Sequence, residues 1–213
     1  MSDYDLATNV RAYERWAPFY DKVYTRLLSQ ARSASVRAAV ACGPEILEVG
    51  LGTGLSLPEF PADVRVSGVD LSSHMLAKAQ EKIERQGLTC VRGLAVMDAC
   101  NLGFAPGRFD AVSAQFVITL VPDPEQALDE FARVLKPDGE IIIANHIGAE
   151  SGPMAVFESL AEPLAKKLGW RPNFPLQRIR DWAGSRGFEV LSAEKVRPLG
   201  YFMVIRLKRA AKN

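Results

Sequence analysis

The stretch E-V-G-L-G-T-G, Glu48 to Gly54, decides the fold class, together with Asp70 at the end of the next apolar run. E-I-L-E-V before it reads as a buried strand, and L-S-L-P-E-F after it reads as the opening of a helix. A strand, a glycine turn and a helix make a cofactor pocket, because glycine lets the backbone approach a ligand closely. A dinucleotide fingerprint would be G-x-G-x-x-G. Here the glycines fall at Gly50, Gly52 and Gly54, and Leu55 occupies the place of the expected third glycine.

Outward from this turn, apolar runs and helical patterns alternate. Strands are predicted at Glu45–Val49, Val64–Val69, Leu88–Gly93, Ala111–Ala114 and Glu140–Asn145, with helices at Leu71–Arg85 and Pro124–Leu135. K-P-D-G, Lys136 to Gly139, reads as a turn before the Ile141–Ile143 run. Such alternation favours a parallel sheet wrapped by helices. Further helices are expected at Gly152–Leu168 and Leu176–Arg186, then two strands, F-E-V-L-S-A-E-K-V and Y-F-M-V-I-R-L. Ahead of the first strand, Val10, Tyr13, Ala17, Tyr20, Tyr24, Leu27 and Ala31 recur at helical spacing. Pro18 divides this pattern into two helical pieces.

With 213 residues, about half of them apolar, the chain can bury one sizeable core. No apolar run approaches the roughly 20 residues of a spanning helix, and the acidic start M-S-D-Y-D-L leads into no signal-like segment. Cys42, Cys90 and Cys100 show no paired spacing. That pattern suits a reducing cytoplasm and argues against a disulfide framework or a zinc site. The net charge of +1 is unevenly spread. Residues 42–163 hold 8 Lys/Arg against 18 Asp/Glu, whereas residues 164–213 hold 12 against 3. The basic stretch reads either as a face for an acidic partner or as a solvated face opposite an acidic one. No nucleic-acid motif accompanies it.

The acid before the first glycine and the G-x-G-x-G spacing resemble the S-adenosylmethionine site of class I methyltransferases. The resemblance implies a Rossmann-like α/β fold: a mostly parallel seven-stranded sheet with an antiparallel last strand. It implies that Glu48, Gly50, Gly52 and Gly54 bind the amino-acid end of the cofactor. Asp70 can accept from both ribose hydroxyls, or alternatively cap the helix that follows. Leu71 and Met75 are candidate adenine walls. V-M-D-A, Val96 to Ala99, resembles the next acidic position of these enzymes, where Asp98 accepts from the adenine amine and Ala99 lies on the ring. Gln115 and His146 leave the sheet at its carboxyl edge, where open α/β sheets bind ligands. Gln115 is a candidate lining residue of the transfer site. His146 could bond a substrate phosphate or relay a proton.

The run Y-E-R-W-A-P-F-Y-D, Tyr13 to Asp21, together with G-V-D-L-S-S-H-M-L-A-K-A and A-N-H-I-G-A-E, resembles the bacterial phosphatidylethanolamine N-methyltransferases. That family implies an N-terminal helical cap over residues 1–41 and a cofactor-binding domain over 42–213. By that resemblance the cap would cover the cofactor and meet an anionic membrane surface, which would place the protein peripherally on the inner face of the cell membrane. Tyr20 would touch the methionine end of the cofactor or the reacting amine, and Asp21 would position the amine. The implied reaction is successive N-methylation of a phospholipid amine, without metal. Quinone C-methyltransferases share the Tyr-Asp pair and the glycine motif, so a quinone or other small-molecule acceptor is the alternative.

Overall fold

A computed structural model of the chain describes residues 28–146, 174–196 and 202–211. The N-terminal helical pieces, Tyr20, Asp21 and the helix expected at Gly152–Leu168 lie outside those residues. Helix α1 (Ser29–Val40) is followed by β1 (Glu45–Val49), a single 3-10 turn (Leu57–Glu59), β2 (Arg65–Asp70), α2 (Ser73–Gln86) and β3 (Val91–Val96). Then come β4 (Phe109–Gln115), α3 (Pro124–Val134), β5 (Leu135–His146), α4 (Leu176–Ser185), β6 (Phe188–Val196) and β7 (Phe202–Arg209). The seven strands form one sheet in the order β3-β2-β1-β4-β5-β7-β6. The pairs from β3 to β5 are parallel, and β7 runs antiparallel to both of its neighbours. This is the sheet expected from the resemblance.

Central strands are buried on both faces, which is why they read as apolar runs without alternation. Leu47, Val49, Val112, Ile141 and Ile143 pack in one cluster with Leu128 and Phe131 of α3 and with Ile179 and Trp182 of α4. Ile46, Ala111, Ile142 and Ala144 pack in another with Val36 and Ala39 of α1 and with Leu76 and Ala79 of α2. Phe131, fully buried, contributes about 1.5–3 kcal/mol by leaving water. Local chemistry sets the helix ends. Ser72 caps α2 by accepting from the Met75 amide at 3.3 Å, and left-handed Gly87 closes it. Asp123 caps α3 by accepting from the Gln126 amide at 3.0 Å, with Pro124 in the first turn.

Three sequence expectations shift. L-S-L-P-E-F makes only the 3-10 turn, because Pro61 disfavours helical geometry at Phe60, whose ψ is 133°. β3 begins at Val91 rather than Leu88, since the Leu88 amide is spent closing α2 on the Ile83 carbonyl at 3.1 Å. Lys136–Gly139 is a bulge inside β5 rather than a turn before it. Phe109 pairs with Leu135 and Ala111 already pairs with Glu140, so the extra residues loop out.

The C-terminal elements are joined to the acidic middle of the chain by ion pairs. Arg178 grips Glu125 through two bonds, Arg186 grips Asp129 through two, and Arg206 grips Glu140 through two. Among the described residues no helix is long and apolar enough to cross a membrane.

Candidate active site

A trough of about 170 Å³ opens at the carboxyl ends of β1, β2 and β4. Gly50, Gly52, Asp70, Leu71, Met75, Asp98, Ala99 and Gln115 line it. Eight residues singled out from the sequence therefore meet in one place. A smaller hollow of about 70 Å³ shares Gly50, Gly52, Gln115 and Phe116 with the trough and extends it to Glu48, Ser56 and Arg32.

The turn after β1 explains the glycines. Gly50, Gly52 and Gly54 have φ of 69°, 58° and 67°, the left-handed region that favours glycine. At Gly50 a Cβ would lie 2.7 Å from Val117 Cβ, so the turn is pressed against the segment after β4. Gly52 faces open space, and its amide donates to Asp70 Oδ2 at 2.7 Å. Gly54 lines neither hollow; a Cβ there would lie 2.7 Å from Leu57 and 3.2 Å from Ala79. Its glycine serves helix packing.

Asp70 accepts from the amides of Gly52 and Ser72, at 2.7 and 2.9 Å. The helix cap is Ser72, so the capping alternative for Asp70 does not hold. Burial raises the Asp70 pKa against the pull of these amides. Glu48 is 2% exposed, and Ser56 Oγ donates to it, 2.6 Å from Oε1 and 2.7 Å from Oε2. Burial pushes its carboxyl up to about 7, with the Ser56 bond and the Arg32 charge acting the other way. Asp98 is half-buried and folds its carboxylate onto the Cys100 amide at 2.9 Å, which shapes the loop beneath Ala99. Gln115 is buried and donates to Ser113 Oγ at 3.3 Å.

His146 ends β5 and packs edge-on against Phe202, with ring centroids 6.4 Å apart. It lines neither hollow. Arg178 is committed to Glu125, whereas Arg180 is exposed. Sequence reasoning missed Phe116 and Arg32. Phe116 follows β4 with φ of 58°, the one non-glycine residue in that region among those described. A bulky residue held there is strained and marks a functional edge. Arg32, 8% exposed, enters the smaller hollow from α1 while its Nε holds Glu59 at 2.6 Å. No periodic signal distinguishes either from core packing.

A sheet of this order, with a left-handed glycine turn after β1 and an acid closing β2, defines a class I methyltransferase. Residues 47–143 match a family described as a methyltransferase domain. The phosphatidylethanolamine N-methyltransferase of Cereibacter sphaeroides is 38% identical over 199 residues, covering 93% of this chain and 96% of that protein. A demethylmenaquinone methyltransferase of Beutenbergia cavernae is 32% identical over 164 residues, 71% of this chain and 65% of its own. Among solved structures, an S-adenosylmethionine-dependent methyltransferase of Thermotoga maritima superimposes with a TM-score of 0.69 at 23% identity, covering 93% and 99% of the two chains. The chain belongs to the family of bacterial phosphatidylethanolamine N-methyltransferases. S-adenosylmethionine is its methyl donor. The residues present fit that donor: a bare glycine cradle beside an acid able to accept from a diol, leading to a second hollow that carries both a carboxylate and a guanidinium.

Proposed function

We propose that the protein transfers methyl groups to the amine of phosphatidylethanolamine, successively towards phosphatidylcholine. The near full-length relationship to the Cereibacter sphaeroides enzyme carries this reading. Asp70 holds the ribose, the Gly50–Gly52 backbone and Glu48 hold the methionine end, and Leu71, Met75, Asp98 and Ala99 enclose the adenine. Gln115 lines the point of transfer. The donor supplies an electrophilic methyl on sulfur, so the chain's task is alignment and exclusion of water. An alkyl ammonium with a pKa near ~10 must lose its proton before it attacks. Tyr20, Asp21 and His146 are the candidates for assisting that loss.

Within the proposed cap, residues 1–41, α1 packs on the sheet, and the stretch ahead of it is the proposed membrane-facing part. Trp16, Phe19 and Val23 offer an apolar face, and Arg11, Arg15, Lys22 and Arg26 can meet anionic head groups. The enzyme would then act peripherally on the inner leaflet. A second reading, methylation of a quinone precursor, is favoured by the demethylmenaquinone relatives. One experiment separates the two. Purified protein is incubated with labelled S-adenosylmethionine and either phosphatidylethanolamine vesicles or demethylmenaquinone. Label in mono-, di- and trimethylated head groups is the expected result. Label in the quinone alone overturns it.

A further inference from the structure

Among the described residues, one buried polar side-chain atom has no hydrogen-bond partner, Oδ1 of Asn145. The residue is 3% exposed. Its amide is not free to turn over. Nδ2 donates to Thr119 Oγ1 at 3.1 Å and to the main-chain carbonyl of His146 at 3.1 Å. A flipped amide would set Oδ1 against that carbonyl, acceptor against acceptor. The orphaned oxygen is therefore a held feature, and such a group in a native interior needs an explanation.

Its position suggests one. Ala144 pairs with Gln115, and the Phe116 amide donates to the Ala144 carbonyl at 2.7 Å. Asn145 thus lies one residue beyond the last β4–β5 pair, at the carboxyl edge, beside Gln115 and Phe116, two of the four residues shared by both hollows, while lining neither hollow itself. Thr119, which fixes the amide, belongs to the segment whose Val117, Leu120 and Val121 wall the trough. A fixed acceptor at this edge calls for a donor from the ligand.

We propose that Asn145 Oδ1 accepts a hydrogen bond from an N–H of the amine being methylated. This rests on the amine reading above and names how that site selects its acceptor. The neutral amine's lone pair forms the N–C bond to the methyl. The C–S bond breaks, its electron pair stays on sulfur, and a neutral thioether leaves. Positive charge moves onto nitrogen; in the first two transfers the surplus proton passes from the product ammonium to solvent, and the third leaves a quaternary ammonium with no proton to lose. As that charge develops the N–H becomes a stronger donor, so Oδ1 favours the transition state over the bound amine. A neutral primary amine brings two N–H groups, a singly methylated one brings one, and a doubly methylated one brings none. Asn145 assists the first two transfers and leaves the third unaided. A carbon acceptor of the quinone type offers no such N–H.

The test is Asn145→Ala against wild type, with phosphatidylethanolamine and its N-methyl and N,N-dimethyl derivatives supplied separately in phosphatidylglycerol vesicles. For the first two acceptors kcat/KM should fall about tenfold or more, the range for losing a bond to a developing charge. The dimethyl acceptor should change by less than about twofold on the same reasoning. Affinity for S-adenosylhomocysteine by calorimetry, and inhibition by phosphatidylcholine, which has no N–H, should be unaltered. The phosphatidylcholine measurement stands in if wild type does not turn over the dimethyl lipid. Equal loss on all acceptors, or no loss on any, overturns the proposal; the second result means that a buried water serves Oδ1. If Asn145→Ala binds no S-adenosylhomocysteine and so has not folded, Thr119→Val, which unpins the amide, must give the same order of losses. A wild type that binds S-adenosylhomocysteine yet methylates none of the lipids removes the amine reading and this proposal together. Equal losses remove the proposal alone.

Discussion

Glu48→Gln should make the protein more stable near pH 8 and should remove a specific slope from its stability curve. Burial raises the Glu48 carboxyl from the ordinary 4.5 to about 7. The folded state therefore holds this proton more tightly than the unfolded chain. Its contribution is complete below about pH 4.5, declines as pH rises, and is lost above about 7. The difference between those two values converts to about 3 kcal/mol. Glutamine stays neutral throughout. Variant minus wild type should thus climb by about 3 kcal/mol between pH 4.5 and 8, equivalent to about 6–12 °C in Tm for a domain of this size. The new amide N–H group in a site built for a carboxyl adds a cost of about 1–3 kcal/mol. That cost is independent of pH, so it offsets the curve without changing its slope. Urea unfolding of both proteins at half-unit steps from pH 4.5 to 8 measures the slope. Parallel curves would refute the reasoning, because Glu48 would then titrate alike in the folded and unfolded chains.

Gly50→Ala and Gly52→Ala should separate stability from binding. The first forces a Cβ to 2.7 Å from Val117 at φ of 69°, and urea unfolding should show a loss of about 2 kcal/mol or more. The second has open space and should cost about 1–2 kcal/mol in the same assay while sharply weakening S-adenosylhomocysteine, since its methyl enters the trough. Asp70→Ala frees the Gly52 and Ser72 amides and removes the proposed ribose acceptor. Calorimetry should show S-adenosylhomocysteine binding about tenfold weaker or more, and an unchanged affinity would take Asp70 out of the site.

The strand-and-turn frame was legible because its signals are local. Buried parallel strands need continuous apolar runs, and left-handed turns need glycine, so Ile46–Val49 with Gly50 and Gly52 could be read directly. Asp70 followed from its place after the next such run. What escaped depends on contacts across the chain. Gly54 matches the motif yet packs on Leu57 and Ala79, a distinction visible only once α2 is docked. The strain at Phe116 arises where Gly50 presses on the next residue, Val117, and phenylalanine carries no sequence signal for a positive φ. Arg32 reads as one more cation on a helix until Glu59 fixes it beside the smaller hollow. The Lys136–Gly139 bulge looked like a turn because glycine and proline mark both.

The ion pairs of α4 and β7 bear on how the chain assembles. Arg178–Glu125, Arg186–Asp129 and Arg206–Glu140 each join the basic last quarter of the sequence to its acidic middle. Each is partly exposed, and pairs of that kind add little to stability one by one. Their common polarity matters more. The acidic partners lie on α3 and β5 and the cationic ones on α4, just past its end, and on β7, so charge complements apolar packing where α4 and the β6–β7 hairpin meet the rest of the sheet. Segregation of charge along the chain thus becomes a one-sided complementarity in the folded protein, which favours this docking over any that would set like charges together.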